Sequence, residues 1–343
     1  MNVTVSDPWN AAADPAMPFL ARALQPESAR AALCRAVESW RGPVKGFELT
    51  GIRVIRHKPG RRALVEFDMR FAGEGEDGPL TLVGKARARG LDKKAPALLR
   101  ALRDAGFGAR EGNEVCVPEP VGVAPEFQMW FQTKVPGAPL LDGPMAERGP
   151  GLASRVAAAA HKLHGAKVAA PRRHGMEDEL AILRERYTRL TAAHPGWRER
   201  LARVLAGCER LAAGLHDRPV CGIHRDFHPG QMLVDGGRLW LLDFDLYSEG
   251  DPALDAGNFL GHLRELAVRE PARAEELLDF AQGVEARFLE LSGECDASAL
   301  RTCETLTLAR HVSISAEFPD RRAFTGAILD LCEARLGLEA EAR

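Results

Sequence analysis

Residues 221–255 read CGIHRDFHPGQMLVDGGRLWLLDFDLYSEGDPALD and crowd acidic and imidazole side chains between apolar runs. The apolar runs MLV and LWLL have the length of short strands, and the Asp-Gly-Gly sequence between them at 235–237 is typical of a tight turn. This pattern predicts a loop followed by a two-stranded hairpin. Such a hairpin would return Asp243 to the neighbourhood of the loop that carries Asp226.

Two carboxylates brought together in this way suit phosphoryl transfer. That reaction needs one carboxylate to orient an incoming hydroxyl and accept its proton, and separate oxygen ligands for the Mg²⁺ on the nucleotide phosphates. Gln231 follows Asp226 by five positions and offers an amide oxygen, and Asp243 offers a carboxylate. The residues therefore predict a catalytic aspartate, Asp226, beside a metal site formed by Gln231 and Asp243.

The rest of the chain divides into three parts by pattern. Residues 1–46 are an Ala-rich helical lead-in. Residues 47–135 are β-rich: FELTGIRVIRH and RALVEFDMRF are joined by a Pro-Gly turn, and PLTLVGKARA and QMWFQTKV add strands around one helix, KKAPALLRALRDAGFG. Residues 136–343 carry apolar residues three and four apart and are mainly helical. An α+β fold is predicted, with a small antiparallel β lobe and a large helical lobe that holds the catalytic loop 221–255.

The catalytic segment resembles the aminoglycoside phosphotransferase and choline kinase group, small-molecule kinases of the two-lobe, protein-kinase-like fold. Their catalytic loop runs roughly H-x-D-x-x-x-x-N, and their metal-binding aspartate lies on the next short hairpin. His224, Asp226 and Gln231 match this loop, with glutamine in place of the usual asparagine, and Asp243 matches the metal aspartate. The resemblance implies that Asp226 is the catalytic base, that Gln231 and Asp243 hold Mg²⁺, and that His224 braces the loop.

Further matches extend the resemblance to most of the chain beyond residue 45. They are the KLH that ends a helix at His164, and EGDPALDAGNF, whose Asp255 resembles a buried structural aspartate of the group. Read from the residues alone, Asp255 before a helix is either an N-cap or a loop brace. Asp245 would join Asp243 on one face only if the strand stayed regular past Phe244.

The resemblance also implies a nucleotide site in the small lobe. Lys85 corresponds to the lysine that contacts the α and β phosphates, and adenine would lie against the backbone around Gln132, Lys134 and Val135. The alternative for Lys85 is a strand-end lysine that reaches water. In the turn RHKPGRRA, Arg61 and Arg62 are either phosphate contacts or an exposed hairpin tip.

Two departures from the group pattern bear on catalysis. Gln231 is one methylene longer than asparagine, which shifts or weakens one metal contact. The helix after Lys85 contains Asp104 as its only acid in residues 93–106, so that either another carboxylate positions the lysine or the lysine acts unpaired. His228 either touches the substrate or only shapes the turn that begins at His-Pro.

Composition limits the class of partner and the compartment. The formal net charge of −2 gives no bulk attraction to nucleic acid or anionic lipid. The first residues lack a signal-peptide pattern, no apolar run is long enough to span a bilayer, and seven scattered cysteines suit reduced thiols. We therefore expect a cytoplasmic protein whose partners are a nucleotide and a small molecule, with no nucleic acid or membrane partner and an oligomeric state that the sequence leaves open.

The sequence favours a phosphotransferase that uses ATP, or another nucleoside triphosphate, with Mg²⁺ to phosphorylate a hydroxyl of a small polar molecule. The alternative is a pseudokinase, a nucleotide-binding or scaffold module without turnover. An aminoglycoside acceptor, being a polycation, would require a dense acidic pocket. Four acids could contribute to one if they converged: Glu249, Asp251, Glu265 and Glu317.

Overall fold

The computed structural model of the chain describes residues 3–42, 46–71, 79–143, 151–170, 172–292 and 297–338. The polar loop AGEGEDG, predicted between two strands, lies outside the described residues. The chain forms two compact units, Met1–Pro136 and Gly137–Arg343. The first contains most of the strands and the second most of the helices, which confirms the predicted α+β class.

Twelve strands and ten α-helices are present in the described residues. The strands are β1 Thr4–Ser6, β2 Phe47–Lys58, β3 Arg62–Phe71, β4 Pro79–Arg87, β5 Val115–Cys116, β6 Pro120–Ala124, β7 Met129–Thr133, β8 Ala138–Pro139, β9 Cys221–Ile223, β10 Met232–Asp235, β11 Arg238–Leu241 and β12 Ser248–Gly250. The helices are α1 Phe19–Ala23, α2 Pro26–Arg41, α3 Lys94–Leu102, α4 Leu152–His164, α5 Met176–Ala193, α6 Arg198–Ala213, α7 Pro252–Arg269, α8 Ala274–Ser292, α9 Ala297–Glu317 and α10 Thr325–Arg335.

The first unit is built on a six-stranded sheet in the order β1-β2-β3-β4-β7-β6. The predicted hairpin is confirmed as β2 and β3, which pair antiparallel and turn at Gly60, where φ is 66°. A glycine suits this turn because a positive φ is costly for residues with a Cβ. The sequence did not predict β6, nor the short edge strand β1, which pairs parallel with β2.

The N-terminal lead-in shares the core of this sheet. Leu20 and Leu33, from α1 and α2, belong to the same buried cluster as Phe67 and Phe131 of the strands. The segment is also fixed to the hairpin tip by a buried carboxylate: Asp14 Oδ2 accepts a hydrogen bond from the Gly60 backbone N–H at 2.8 Å and pairs with His57 Nε2 at 2.8 Å. The hairpin that carries Arg61 and Arg62 is thus held at its turn by residues of the lead-in.

The second unit is a helical body, and the helices predicted from apolar spacing are found there as α4, α5, α6, α8 and α10. Helix α9 lies among several of them and packs against α5, α6, α7 and α10. Because buried residues occupy almost every position from Ala299 to Ala316, α9 has no continuous solvent-exposed face over that stretch. A helix buried on all sides lacks the one-sided apolar stripe by which amphipathic helices are recognised in a sequence.

Two small sheets interrupt the helices of the second unit and carry the catalytic segment: one contains the antiparallel strands β8, β10 and β11, and the other is the pair β9 and β12. β10 pairs with β11 in the register Met232 to Leu241 through Asp235 to Arg238, as the sequence predicted, and Gly236 supplies the turn with φ of 55°. β9 pairs with β12, Ile223 opposite Ser248. The loop between β9 and β10 is therefore held at both ends by strand pairing.

No helix in the described part of the chain is long and apolar enough to cross a membrane.

Candidate active site

Asp255 fixes the start of the catalytic loop. Its side chain is fully buried, and its carboxylate accepts the backbone N–H groups of His224 at 2.8 Å and Arg225 at 2.7 Å, with His164 Nε2 at 3.0 Å. Of the two alternatives for this residue, the contacts are those of a loop brace. The N-cap of α7 is Asp251, whose Oδ1 accepts the Ala253 N–H at 2.8 Å.

His224 ties the catalytic loop to the segment after β11. Its ring is completely buried: Nδ1 accepts the backbone N–H of Asp226 at 3.3 Å, and Nε2 lies 2.9 Å from the carbonyl oxygen of Leu242. These partners assign the proton to Nε2, because Nδ1 faces a donor and Nε2 faces an acceptor. With both nitrogens engaged by the main chain, the imidazole is positioned as a brace between Asp226 and Leu242, the residue before Asp243.

Asp226 carries the carboxylate that is available for chemistry. Its side chain is 39% exposed, and its two oxygens have different neighbours: Oδ2 accepts the Gln231 amide Nε2 at 3.0 Å, and Oδ1 lies 3.6 Å from His228 Nε2. Burial raises the pKa of this carboxyl, but the contacts with His228, His224 and Gln231 outweigh it and hold the pKa well below its usual range. The group is therefore an ionised hydrogen-bond acceptor at neutral pH.

A main-chain hydrogen bond brings Gln231 close to the segment that carries Asp243. The Leu242 N–H donates to the main-chain carbonyl oxygen of Gln231 at 2.9 Å, so the residue before Asp243 lies against the end of the catalytic loop. Asp243 itself has φ of 58° and ψ of 67°, a left-handed conformation that is costly for a residue with a Cβ and is concentrated at functional sites. The backbone leaves the strand at this point, so that Asp245 lies in a single 3₁₀ turn, Phe244–Leu246, and not on an extended strand beside Asp243.

The donor set fits Mg²⁺ in its chemistry. The Gln231 side-chain nitrogen donates to Asp226, which leaves the side-chain oxygen of Gln231 to face a cation, and Asp243 offers a carboxylate. In the described residues, no group of three or more His, Cys, Asp or Glu side chains could hold a metal ion. Mg²⁺ commonly binds through one or two protein oxygens together with substrate phosphates and water, so a pair of oxygen ligands fits its usual site better than a closed protein cage.

A second set of contacts supports the loop from helices α5, α7 and α9. Asn258 Nδ2 donates to the Phe227 carbonyl oxygen at 3.0 Å, and its side-chain oxygen accepts from Arg310. Arg310 also pairs with Glu179 at 2.9 Å, and His174 Nε2 lies 2.6 Å from the other oxygen of that carboxylate. Burial raises the pKa of Glu179, but the charge of Arg310 and the bond with His174 lower it to about 2.

Three histidines form a row that starts beside the Asp226 carboxylate. The rings of His228 and His262 stack with centroids 4.4 Å apart, and the ring of His311 meets His262 edge-on at 4.4 Å. Burial is the main cause that lowers the pKa of His262 well below its ordinary value and that of His311 to about 3. These three histidines are far apart in the sequence, and the sequence pointed only to His228. Asn258 and His262 are four residues apart on α7 and so share a face of that helix, which is the one local feature of the sequence that relates His262 to the loop.

Of the residues predicted to contact nucleotide, Lys85 has the most informative surroundings. It lies on β4 directly opposite Trp130 of β7, and its ammonium nitrogen is 5.3 Å from the centroid of the Trp130 ring. No carboxylate lies within ion-pairing distance of Lys85 in the described residues. Of the two possibilities left by the sequence, the lysine is not paired with an acid, and the face of an aromatic ring is its neighbour.

The other predicted nucleotide contacts also lie in the first unit. Gln132 is buried within β7, and the Lys134 side chain pairs with Glu66 at 2.7 Å while its backbone N–H donates to the Thr81 carbonyl oxygen at 2.8 Å. Val135 makes no backbone hydrogen bond within the described ranges and so keeps a free donor and acceptor. Arg61 is exposed at the hairpin turn, and Arg62 begins β3.

The four acids that could have formed an acidic acceptor pocket do not act as one cluster. Asp251 pairs with Arg218 at 2.7 Å, Glu265 with Arg269 at 2.7 Å and Glu317 with Arg186 at 3.8 Å. Glu249 is exposed on β12. Three of the four carboxylates are thus neutralised, each by a different arginine.

The two-unit fold, with a loop that carries Asp226 beside the hairpin that leads to Asp243, is that of the small-molecule kinases of the protein-kinase-like class. The sequence profile of the phosphotransferase enzyme family matches residues 71–292. The chain belongs to this phosphotransferase family. Comparison with curated proteins gives no match.

Several solved structures are similar in fold. A choline/ethanolamine kinase family protein from Mesorhizobium loti aligns with a TM-score of 0.56 and 16% identity, covering 93% of each chain. Choline kinase from Cryptosporidium parvum aligns with a TM-score of 0.58 and 11% identity over 90% of this chain and 94% of that one. A thermostable mutant of aminoglycoside phosphotransferase APH(4)-Ia, in complex with AMP-PNP and hygromycin B, aligns with a TM-score of 0.55 and 16% identity over 91% and 99%. The expected protein-kinase-like fold is confirmed, and the comparisons give no support to a pseudokinase.

Proposed function

We propose that this protein transfers the γ-phosphoryl group of ATP, with Mg²⁺, to a hydroxyl of a small polar molecule. The observation that carries the proposal is the arrangement around Asp226: an ionised, partly exposed carboxylate, oriented by Gln231, on a loop that adjoins Asp243. Related folds have been solved with AMP-PNP and hygromycin B, and as choline kinases, which is consistent with a nucleotide and a small hydroxyl compound as substrates.

Asp226 would act mainly by orienting the acceptor hydroxyl. A carboxyl with a strongly lowered pKa is a weak base, so its contribution is a fixed hydrogen bond that points the hydroxyl oxygen at the phosphorus and receives the proton as the new bond forms. Gln231 holds one oxygen and leaves the other facing His228. His224 would contribute by bracing the loop and would not transfer a proton.

Gln231 and Asp243 would hold Mg²⁺, which when bound neutralises charge on the nucleotide phosphates. In the other unit, Lys85 would contact the α and β phosphates, and the stretch of Gln132, Lys134 and Val135 would receive the adenine. Val135 is the member of that stretch whose backbone groups are not already used in the described residues, so we assign the adenine hydrogen bonds to it first. Arg61 and Arg62 would approach the phosphates by charge from the hairpin turn.

We place this activity in the cytoplasm, because cysteines in the described part of the chain are free thiols and the nucleotide is a cytoplasmic substrate.

Calorimetric titration of ATP with and without Mg²⁺ tests the metal assignment. Asp243→Ala should abolish the dependence of ATP affinity on Mg²⁺, and Asp245→Ala, two residues along the same turn, is the matched control that should keep it. Turnover is then measured on a panel of sugars, amino alcohols and aminoglycosides. If the wild type binds ATP equally well without Mg²⁺ and phosphorylates no member of the panel, the proposed function is wrong.

A further inference from the structure

The Asp226 oxygen that Gln231 does not hold lies beside His228. The Gln231 amide donates to Oδ2 of Asp226 at 3.0 Å and leaves Oδ1, which is 3.6 Å from Nε2 of His228. This separation is longer than a hydrogen bond, but a polar N–H at that distance still attracts a carboxylate where water is partly excluded. The orientation of Oδ1 therefore depends on which ring nitrogen of His228 carries the proton.

The tautomer of His228 follows from its other ring nitrogen. Nδ1 accepts the Gly230 backbone N–H at 3.1 Å, and an imidazole nitrogen that accepts a hydrogen bond carries no proton. We therefore assign the proton to Nε2, the nitrogen nearest Asp226. In this form His228 offers Asp226 a donor and cannot act as a base towards it.

The position of the His228 ring is fixed from two sides. The bond to Gly230 caps the 3₁₀ turn Pro229–Gln231 and ties Nδ1 to the main chain of the loop. One face of the ring stacks on His262 of α7, with centroids 4.4 Å apart and planes 11° from parallel, and His262 in turn meets the buried His311 of α9. The imidazole cannot turn Nε2 away from Asp226 without breaking either the cap or the stack.

We propose that His228 is a positioning residue for phosphoryl transfer, and that its Nε2–H holds Asp226 Oδ1 in the orientation that receives the acceptor hydroxyl. A carboxylate bound at one oxygen can still swing about that bond, and a second fixed donor removes this freedom before the acceptor arrives. The inference rests on the proposed function, because it assumes that the acceptor hydroxyl reaches Oδ1. A role through Asp226 differs both from a substrate contact and from a device that only shapes the turn.

Two conservative substitutions separate the two ring nitrogens of His228. In His228→Asn, the side-chain oxygen can replace Nδ1 as the cap of the turn, but the amide is too short to replace Nε2. In His228→Gln, the longer side chain can bring its NH₂ group towards Asp226, whereas glutamine is not a favoured cap. The asparagine variant therefore keeps the turn and loses the donor, and the glutamine variant does the reverse.

Initial rates are measured at saturating ATP and Mg²⁺ with the best acceptor of the panel, and stability is measured from urea midpoints. We expect kcat to fall about tenfold in His228→Asn with an unchanged midpoint, and to stay within about threefold of wild type in His228→Gln with a lowered midpoint. KM for the acceptor and calorimetric ATP affinity should be unchanged in both variants. His216→Asn, which alters an exposed histidine after α6, is the control that should change none of these.

Three results would overturn the inference and leave the phosphotransferase intact. Wild-type kcat in His228→Asn would show that the donor is not used. A kcat that follows the urea midpoint across both variants would mean that His228 acts only by shaping the turn, and a rise in the acceptor KM alone would make it a substrate contact. No product from the wild type with any member of the panel overturns the proposed function, and the inference with it.

Discussion

Replacing Asp255 with asparagine should uncouple the catalytic loop from helix α7. The buried carboxylate accepts two backbone N–H groups, from His224 and Arg225, and a third contact from His164. The amide of the new side chain would present an NH₂ group to one of these donors and lose the charge that strengthens the other hydrogen bonds. A hydrogen bond to a charged group contributes about 1.5–3 kcal/mol, and a buried donor left without an acceptor adds a further cost. We expect D255N to lose roughly 3–5 kcal/mol of unfolding free energy.

Urea unfolding followed by circular dichroism measures this loss, with Asp279→Asn as the control. Asp279 is exposed on α8, and its amidation should change stability by less than about 0.5 kcal/mol. Because the same contacts fix the backbone of Arg225, whose φ is 67°, D255N should also lower kcat more than it weakens ATP binding. A loss below about 1 kcal/mol with unchanged kcat would refute the assignment of Asp255 as the brace of the loop.

Three further outcomes follow from single contacts. Glu179 has a pKa of about 2 in the folded protein against an ordinary 4.5, so the stability it contributes is complete above about pH 4.5 and is lost as the pH falls towards 2. Over that interval the wild type should lose about 3 kcal/mol of unfolding free energy relative to Glu179→Gln. Urea midpoints that change with pH in parallel for the two proteins would contradict this. Trp130→Leu removes the aromatic face near Lys85 and should raise the Kd for ATP, measured by calorimetry, about threefold to tenfold. Trp130→Phe keeps an aromatic ring and should retain most of the affinity. Equal Kd values for the two variants would mean that the ring does not position the lysine. Gln231→Ala removes both the hydrogen bond to Asp226 and an expected metal ligand, so activity should require a higher Mg²⁺ concentration and kcat should fall, whereas an unchanged Mg²⁺ titration would exclude Gln231 as a ligand.

The features that the sequence predicted well are those encoded locally. The hairpin that returns Asp243 towards Asp226 is set by two short apolar runs and an Asp-Gly-Gly turn, all within 221–255. The β2–β3 hairpin is set in the same way by strand composition on either side of Pro-Gly. In both cases, the residues that decide the structure are neighbours in the chain.

The features that the sequence did not predict depend on contacts between distant segments. His228, His262 and His311 come from a loop and two helices, and no spacing rule relates such positions. Helix α9 lies in the part of the chain that was predicted to be helical, but because it is buried on all sides no amphipathic stripe marks its bounds. Strand β1 is three exposed residues that become a strand only by pairing with β2. No role for residues 1–46 could be predicted from the sequence. In the structure, the Asp14 carboxylate accepts the Gly60 backbone N–H and so fixes the hairpin turn, a contact that only the tertiary structure creates.

For Lys85, the sequence showed that the usual glutamate partner is missing but did not show which residue lies beside the lysine instead. The absence of a glutamate in the following helix was visible, but the partner that replaces it was not, because the register of β4 against β7 sets which residue lies opposite the lysine. That register brings the ring of Trp130 to the ammonium group.

Orientation of an acceptor hydroxyl by Asp226 is the step on which the proposed phosphoryl transfer depends. It is tested most directly by quantifying phosphorylated product from ATP, Mg²⁺ and the best acceptor of the panel, with the wild type and with Asp226→Asn at equal saturation by nucleotide. We expect kcat to fall by about 10²–10⁴-fold in the variant while calorimetric ATP affinity is retained. Product formation by Asp226→Asn within a few-fold of the wild-type rate would contradict this role.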